Sequence, residues 1–233
     1  MKVKDLTKRL ALGELRGLYL VDKTDKSRIK DTEQEMLFVY INQGLNHLHS
    51  RFLLSEKDIM VVTKTPYTHY YLRQEFAVSS TSNAIYKYLD DNWCDDFKGD
   101  VIKILSVHDE QGNTMPLNDL DHVFSLFTPQ HDCLQITAIH WNSRFSVLYQ
   151  ARHLELLHTD TERDIMLPFF LEEALQCYVA SKVIGHMNGQ EHIAHSDHYM
   201  MRYEMICQEA LSKDLVSVSE IKTNTKLHMR GFT

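Results

Sequence analysis

Glycine, proline and cysteine are all scarce in this chain, and no run of apolar residues is long. Only eight glycines occur in 233 residues, and none falls in a GxGxxG pattern or in GxxxxGK followed by Ser or Thr. The backbone cradles that hold a nucleotide's phosphates are therefore excluded. No GxSxG occurs either, which removes the strained nucleophile elbow of the α/β-hydrolases. Ser79 to Ser82 is instead a cluster suited to starting a helix. The four cysteines, Cys94, Cys133, Cys177 and Cys207, lie far apart. They show no CxxC spacing and no dense disulfide framework of the kind small secreted domains need. A reducing cytoplasm is the simpler setting, with Cys177 and Cys207 as small buried hydrophobes in helical sequence.

No stretch approaches the ~20 apolar residues that span a bilayer. The opening MKVKDLTKRL alternates charge with apolar residues and is not read as a signal peptide. Positive charge is also short: 25 Lys and Arg against 32 Asp and Glu leave a net charge of −7. A protein that reads nucleic acid gains most of its affinity from cations on phosphates, so this balance counts against that class. The acidic pairs Asp90/Asp91, Asp95/Asp96 and Glu172/Glu173 read as solvated faces.

What the sequence does have is amphipathic periodicity. In QEMLFVYINQGLNHLHSRF, Leu37, Tyr40, Ile41, Leu45, Leu48 and Phe52 recur at offsets of three and four, which predicts a helix over 34–52 with one buried face. His47 and His49, two apart, point to different sides of it. A second block opens at Pro168 and runs Leu171, Ala174, Leu175, Tyr178, Val179 and Val183 before Gly185 and a Met-Asn-Gly break. A further helix follows, with Tyr199, Tyr203, Ile206 and Ala210 on one stripe and Met201 and Met205 beside it. With the N-terminal stripe Val3, Leu6 and Leu10, these segments predict a small helical bundle in which the chain ends meet. Gly13 and Gly17 weaken the first helix. Residues 21–31 mix both charges with Ser and Thr and form an exposed connection, a solvent or partner surface.

Between the helical blocks the pattern changes to strands and turns. Asp58 to Lys64 is short and β-branched, and Pro66 closes it. Ser80, Ser82 or Asn83 caps an expected short helix with Ile85, Tyr88 and Leu89 facing inward. VIKILSV and TMPL, flanking Asp109 to Asn113, predict a hairpin. Further strands are expected at Val123 to Phe127, Leu134 to Ile139 and Phe145 to Tyr149, punctuated by Pro129 and Asn142-Ser143. Leu154, Leu156 and Leu157 lead back to the bundle. The fold class is thus α+β, a bundle of N- and C-terminal helices with an inserted antiparallel β domain. Its expected division is 1–55 and 160–215 for the bundle, 56–159 for the insertion with one short helix, and 216–233 for an extended C-terminal tail. That tail carries Lys222, Lys226 and Arg230 against Glu220, and reads as either a loose terminus or a strand that orders on a partner.

Fourteen histidines raise a metal site, and the sharpest cluster is His186, His192, His195, Asp197 and His198. Glu191 precedes His192, so no HExxH exists. The single Glu-x-x-His, Glu155 to His158, lacks the second copy a di-iron bundle requires. Polar histidines on an exposed helix face are the plainer reading. No catalytic, cofactor-binding or metal residue is assigned, and the chain is not expected to be an enzyme.

In order, the helix ending INQGLNHLHSRF, the segment VIKILSVHDEQGNTMPLND, the segment FSVLYQARHLEL and the closing LPFFLEEALQCYVASKVIGHMNGQEHIAHSDHYMMRYEMICQEAL resemble the head-to-tail adaptor (connector, tail tubular or neck) proteins of tailed, short-tailed bacteriophages. The resemblance spans most of the chain and rests on the order of elements. It implies a structural virion protein that forms a ring of about twelve copies beneath the portal. Such a ring joins the portal to the tail or nozzle proteins and extends the channel through which double-stranded DNA passes without specific contact. It also implies that the tail from Ser217 to Thr233 docks on the portal, with Lys222, Lys226 and Arg230 as portal-binding candidates. The expected location is the virion neck, with the host cytoplasm before assembly and no membrane partner. A metal-dependent enzyme using the His186 to His198 cluster, and a cytoplasmic scaffolding or regulatory protein, are the alternatives.

Overall fold

A computed structural model describes residues 1–92, 95–187 and 189–215. Cys94, the tail from 216 to 233 and the three portal-binding candidates, Lys222, Lys226 and Arg230, lie outside the described residues. The architecture is α+β, with four α-helices and two antiparallel sheets among these residues. The described residues divide into two compact units, Met1–Tyr40 with 161–215, and Ile41–Asp160.

The first unit is helical. Helix α1 (Val3–Leu12) buries Val3, Leu6, Leu10 and Ala11, and ends where the Gly13 N–H returns to the Arg9 carbonyl at 2.8 Å. Helix α2 (Gln34–Arg51) begins in this unit, burying Leu37 and Phe38, and continues into the second. The central element is α3 (Phe169–Gly185), in which every residue from Cys177 to Ser181 is buried. A helix covered on nearly all sides shows little one-sided periodicity, so the predicted stripe captures only part of its buried surface. Each fully buried leucine there, such as Leu171 or Leu175, contributes about 1.5–3 kcal/mol.

Helix α4 (Gln190–Ser212) packs on α3 through Tyr203, Cys207 and Ala210, with Tyr203 edge-on to Tyr178 at 5.5 Å. The two helices approach closely at one end. Ser196 Oγ donates to the Ser181 carbonyl at 2.9 Å, and a Cβ on Gly185 would sit 2.9 Å from that hydroxyl oxygen. The expected stripe of α4 is corrected in one respect: Met201 and Met205 do not flank the buried face. They are 62% and 71% exposed, because α4 turns Tyr203 and Cys207 toward α3 and points the methionines nearly the opposite way. The first residues of the chain pair with the strand-like segment before α3. Val3 N–H donates to Arg163 O at 3.0 Å and Ile165 N–H to Met1 O at 2.8 Å.

The second unit holds the sheets. Strands β1 (Glu56–Val62), β3 (Leu89–Asp90), β4 (Val101–His108) and β7 (Arg144–Ala151) form one sheet in the order β3-β1-β7-β4. Strands β2 (His69–Tyr71), β5 (Phe127–Gln130) and β6 (Cys133–Gln135) form the other, in the order β2-β6-β5. One hydrophobic cluster draws on both, including Ile59, Val61, Tyr70, Val107, Leu134 and Val147. The end of α2 is tied to β7 by the Gln150 side-chain amide, which donates to the His49 and Phe52 carbonyls. His49 is buried there while His47 is exposed.

Several local expectations are overturned. Residues 80–88 contain no helix. The Ser82 N–H bonds the Ser80 hydroxyl, and Tyr88 N–H returns to the Phe76 carbonyl, so the serines serve a turn and the aromatics run into a strand. Ile85 is fully exposed there, although Tyr88 and Leu89 are buried as expected. The turn at 109–113 forms, but TMPL returns along β4 through a single bridge, His108 to Thr114. Pro116 has no N–H to extend that ladder, and β4 pairs instead with β7. Strand β5 begins at Phe127 and includes Pro129, which is tolerated because β5 is an edge strand. Strand β6 stops at Gln135, and Ala138–His140 is a 3-10 turn. The short strand β2 carries no such signal in the sequence.

Candidate functional site

The histidine cluster of the sequence does not assemble. Among the described residues no group of three or more His, Cys, Asp or Glu side chains is placed to hold a metal ion. His186 leaves the end of α3 and lies against the Tyr40 ring, 5.7 Å between centroids. His195 and His198 are exposed on α4, where His198 contacts the neighbouring Tyr199 ring. Cys133, Cys177 and Cys207 are buried. Burial pushes the Cys177 thiol up to about 11, which suppresses the thiolate needed for nucleophilic or metal chemistry.

Two surface features do gather residues. In the second unit an open depression of about 620 Å³ lies between the 109–116 turn, the 122–124 loop and the start of β7. Several of its polar atoms shape the loops. Asp109 accepts from Gln111 N–H at 2.9 Å and Asn113 N–H at 2.8 Å. The Asn113 side-chain and backbone bonds hold its carboxyl below the usual range. Glu110 accepts the Arg144 backbone N–H at 3.1 Å, and His140 Nε2 lies 3.2 Å from the Phe124 carbonyl oxygen. Thr63 ties the lining residues His140 and Ser143 together, its hydroxyl lying 2.7 and 2.9 Å from their carbonyl oxygens. With these groups occupied, the surrounding loops present apolar side chains, Leu120, Val123, Phe124 and Ile139, to solvent. The arrangement suits contact better than proton transfer.

The second feature belongs to the first unit. The segment between α1 and α2 folds back on itself through the Val21 to Ile29 bridge and encloses a hollow of about 310 Å³. Leu18, Tyr19 and Val21 give it an apolar lining, and Arg16, Lys23 and Lys26 with Asp22 leave it net positive. Gly17, at φ +83°, adopts the left-handed turn that opens it. Asp22 and Asp25 each hold the loop by accepting the N–H and hydroxyl of Thr24 and Ser27 respectively. Lys30 donates to the Tyr19 carbonyl and pins one side. None of Arg16, Lys23 and Lys26 joins an ion pair among the described residues.

The predicted exposed connection at 21–31 is therefore a built surface. Neither the hollow nor the depression was legible as a site, since each is made by loop closure rather than by a motif. The Gly17 turn and the 109–113 turn formers were the available signals. No helix among the described residues is long and apolar enough to cross a membrane. The chain matches no protein-family model, and a search of curated proteins finds no match.

Proposed function

We propose that this chain is a structural virion protein, a head-to-tail adaptor that assembles as a ring between the capsid portal and the tail and extends the DNA channel. In this account the helical unit is a bundle into which the β-rich unit is inserted. Copies pack through helical surfaces, while the β unit faces tail or nozzle proteins and the basic tail meets the portal.

The observation that carries the proposal is the two-sided character of α4. One face buries Tyr203, Cys207 and Ala210, and the other exposes Met201 and Met205. Large apolar side chains clustered on an exposed helix face serve contacts between chains better than chemistry. The net charge of −7 is compatible with a conduit, because DNA slides more readily past a surface that makes few phosphate contacts.

The test is to mix the purified chain with the portal ring of the same virus and image the product. A second ring added coaxially to the portal supports the proposal. A portal left unchanged at high concentrations of the chain refutes it.

A further inference from the structure

The outward side of α4 has a specific order. Asp197, Met201, Met205 and Glu209 follow one another at four-residue spacing, so they form a single ridge along the helix. At 1.5 Å per residue that ridge is roughly 18 Å long. It carries a carboxylate near each end and two exposed methionines between them. Glu209 lies beside Lys213, its partner one turn on, and both side chains remain 60% exposed.

The hollow between α1 and α2 has the reverse pattern. Its lining is largely apolar, with Tyr19 at 51% exposure, and the three cations Arg16, Lys23 and Lys26 outnumber its one carboxylate, Asp22, which Thr24 holds within the loop. No residue of α4 lines it. A ridge of unbranched, adaptable methionines between carboxylates and an apolar hollow with a net positive rim are complementary in polarity and net charge. Both surfaces belong to the same chain, so two copies can join by them.

We infer that the Asp197 to Glu209 ridge of one copy docks in the hollow formed by Arg16, Tyr19, Lys23 and Lys26 of the next copy. The occupant is a second copy of this chain, and the inference rests on the ring assembly proposed above. Because the two surfaces differ, the contact is head-to-tail, and repetition of a head-to-tail contact closes into a ring when the rotation permits. The methionines supply the area removed from water, and the charges select the register and reject a face-to-face pairing.

The test uses two full-length variants mixed with the portal. One carries Lys23→Glu with Lys26→Glu, which reverses the hollow. The other carries Asp197→Lys with Glu209→Lys, which reverses the ridge. All four positions are exposed, so circular dichroism and melting are expected to match the unmodified chain. Each variant alone is expected to assemble on the portal at least about tenfold more weakly than the unmodified chain. An equimolar mixture of the two restores assembly, because each reversed surface meets its complement on the other variant.

If the unmodified chain forms rings and either variant forms them equally well, the docking is wrong while the adaptor assignment stands. If both variants fail and the mixture also fails, charge matching at these surfaces is wrong. If the unmodified chain itself never assembles, the adaptor assignment falls and takes this contact with it.

Discussion

The Tyr88 hydroxyl and the Tyr71 backbone form a reciprocal pair: the hydroxyl accepts the Tyr71 N–H at 2.8 Å and donates to the Tyr71 carbonyl at 3.0 Å. Tyr71 lies on β2, an edge strand, so a side chain here takes the place of a neighbouring strand. Burial drives the phenol's ionisation well above its ordinary range, which keeps its proton available for donation. Tyr88→Phe preserves the ring's contacts with Tyr70 and Phe76 and removes only this pair. The expected cost is about 1–3 kcal/mol, read as a lower urea midpoint with an unchanged slope. Faster hydrogen exchange at the Tyr71 amide should accompany it, and an exchange rate equal to that of the unmodified chain would contradict the role.

Glu162 joins the start of the chain to the segment before α3. Hydrogen bonds from the Lys4 and Lys2 ammonium groups, at 2.7 and 2.9 Å, hold its carboxyl down to about 2. A depressed carboxyl favours the folded contact at pH values above its ordinary 4.5. That contribution fades as pH falls from about 4.5 to about 2. Carbon-detected titration of the Glu162 side chain should show the low midpoint. Glu162→Gln should abolish the associated loosening of the first helix in acid, and raised salt should weaken the contact at neutral pH.

The thiols of Cys133, Cys177 and Cys207 are buried. At neutral pH a thiol-specific reagent should leave all three unmodified in the folded chain and label them on unfolding in denaturant. Rapid labelling of Cys177 without denaturant would mean that α3 opens locally on the timescale of the reaction.

Much of the helical part was readable from residue spacing. Val3, Leu6 and Leu10 are buried on α1, and the stripe from Leu37 to Phe52 predicts α2 to within a residue of its ends. Their signals are local, because a helix repeats its own face every three to four residues. Pairing in the β unit is not local. The turn at 109–113 marks a reversal correctly, yet β4 takes β7 as its partner, which no feature of VIKILSV specifies. Ser80 to Asn83 offers helix caps, but the same hydroxyls bond nearby backbone groups in turns. The outward methionines of α4 show a further limit. Periodicity says that Met201 and Met205 share a face, and only the packing of Tyr203 and Cys207 on α3 says which way that face points.

The basic tail supplies a separate prediction for the proposed portal contact. Removing Ser217 to Thr233 should leave the far-ultraviolet circular dichroism of the remaining chain little changed and weaken binding to the portal. Replacing Lys222, Lys226 and Arg230 together with Ala should reproduce the loss and make the residual binding less sensitive to salt. Unchanged portal affinity in both variants would remove the tail from the interface.

The most direct test of the adaptor assignment is the mass of the complex formed with the portal, measured by native mass spectrometry over a series of chain concentrations. The account predicts a cooperative jump from the free portal to one species carrying a complete ring, about twelve copies, with few partial rings between. A portal that binds no copies, or that binds one or two independently at saturation, would contradict it.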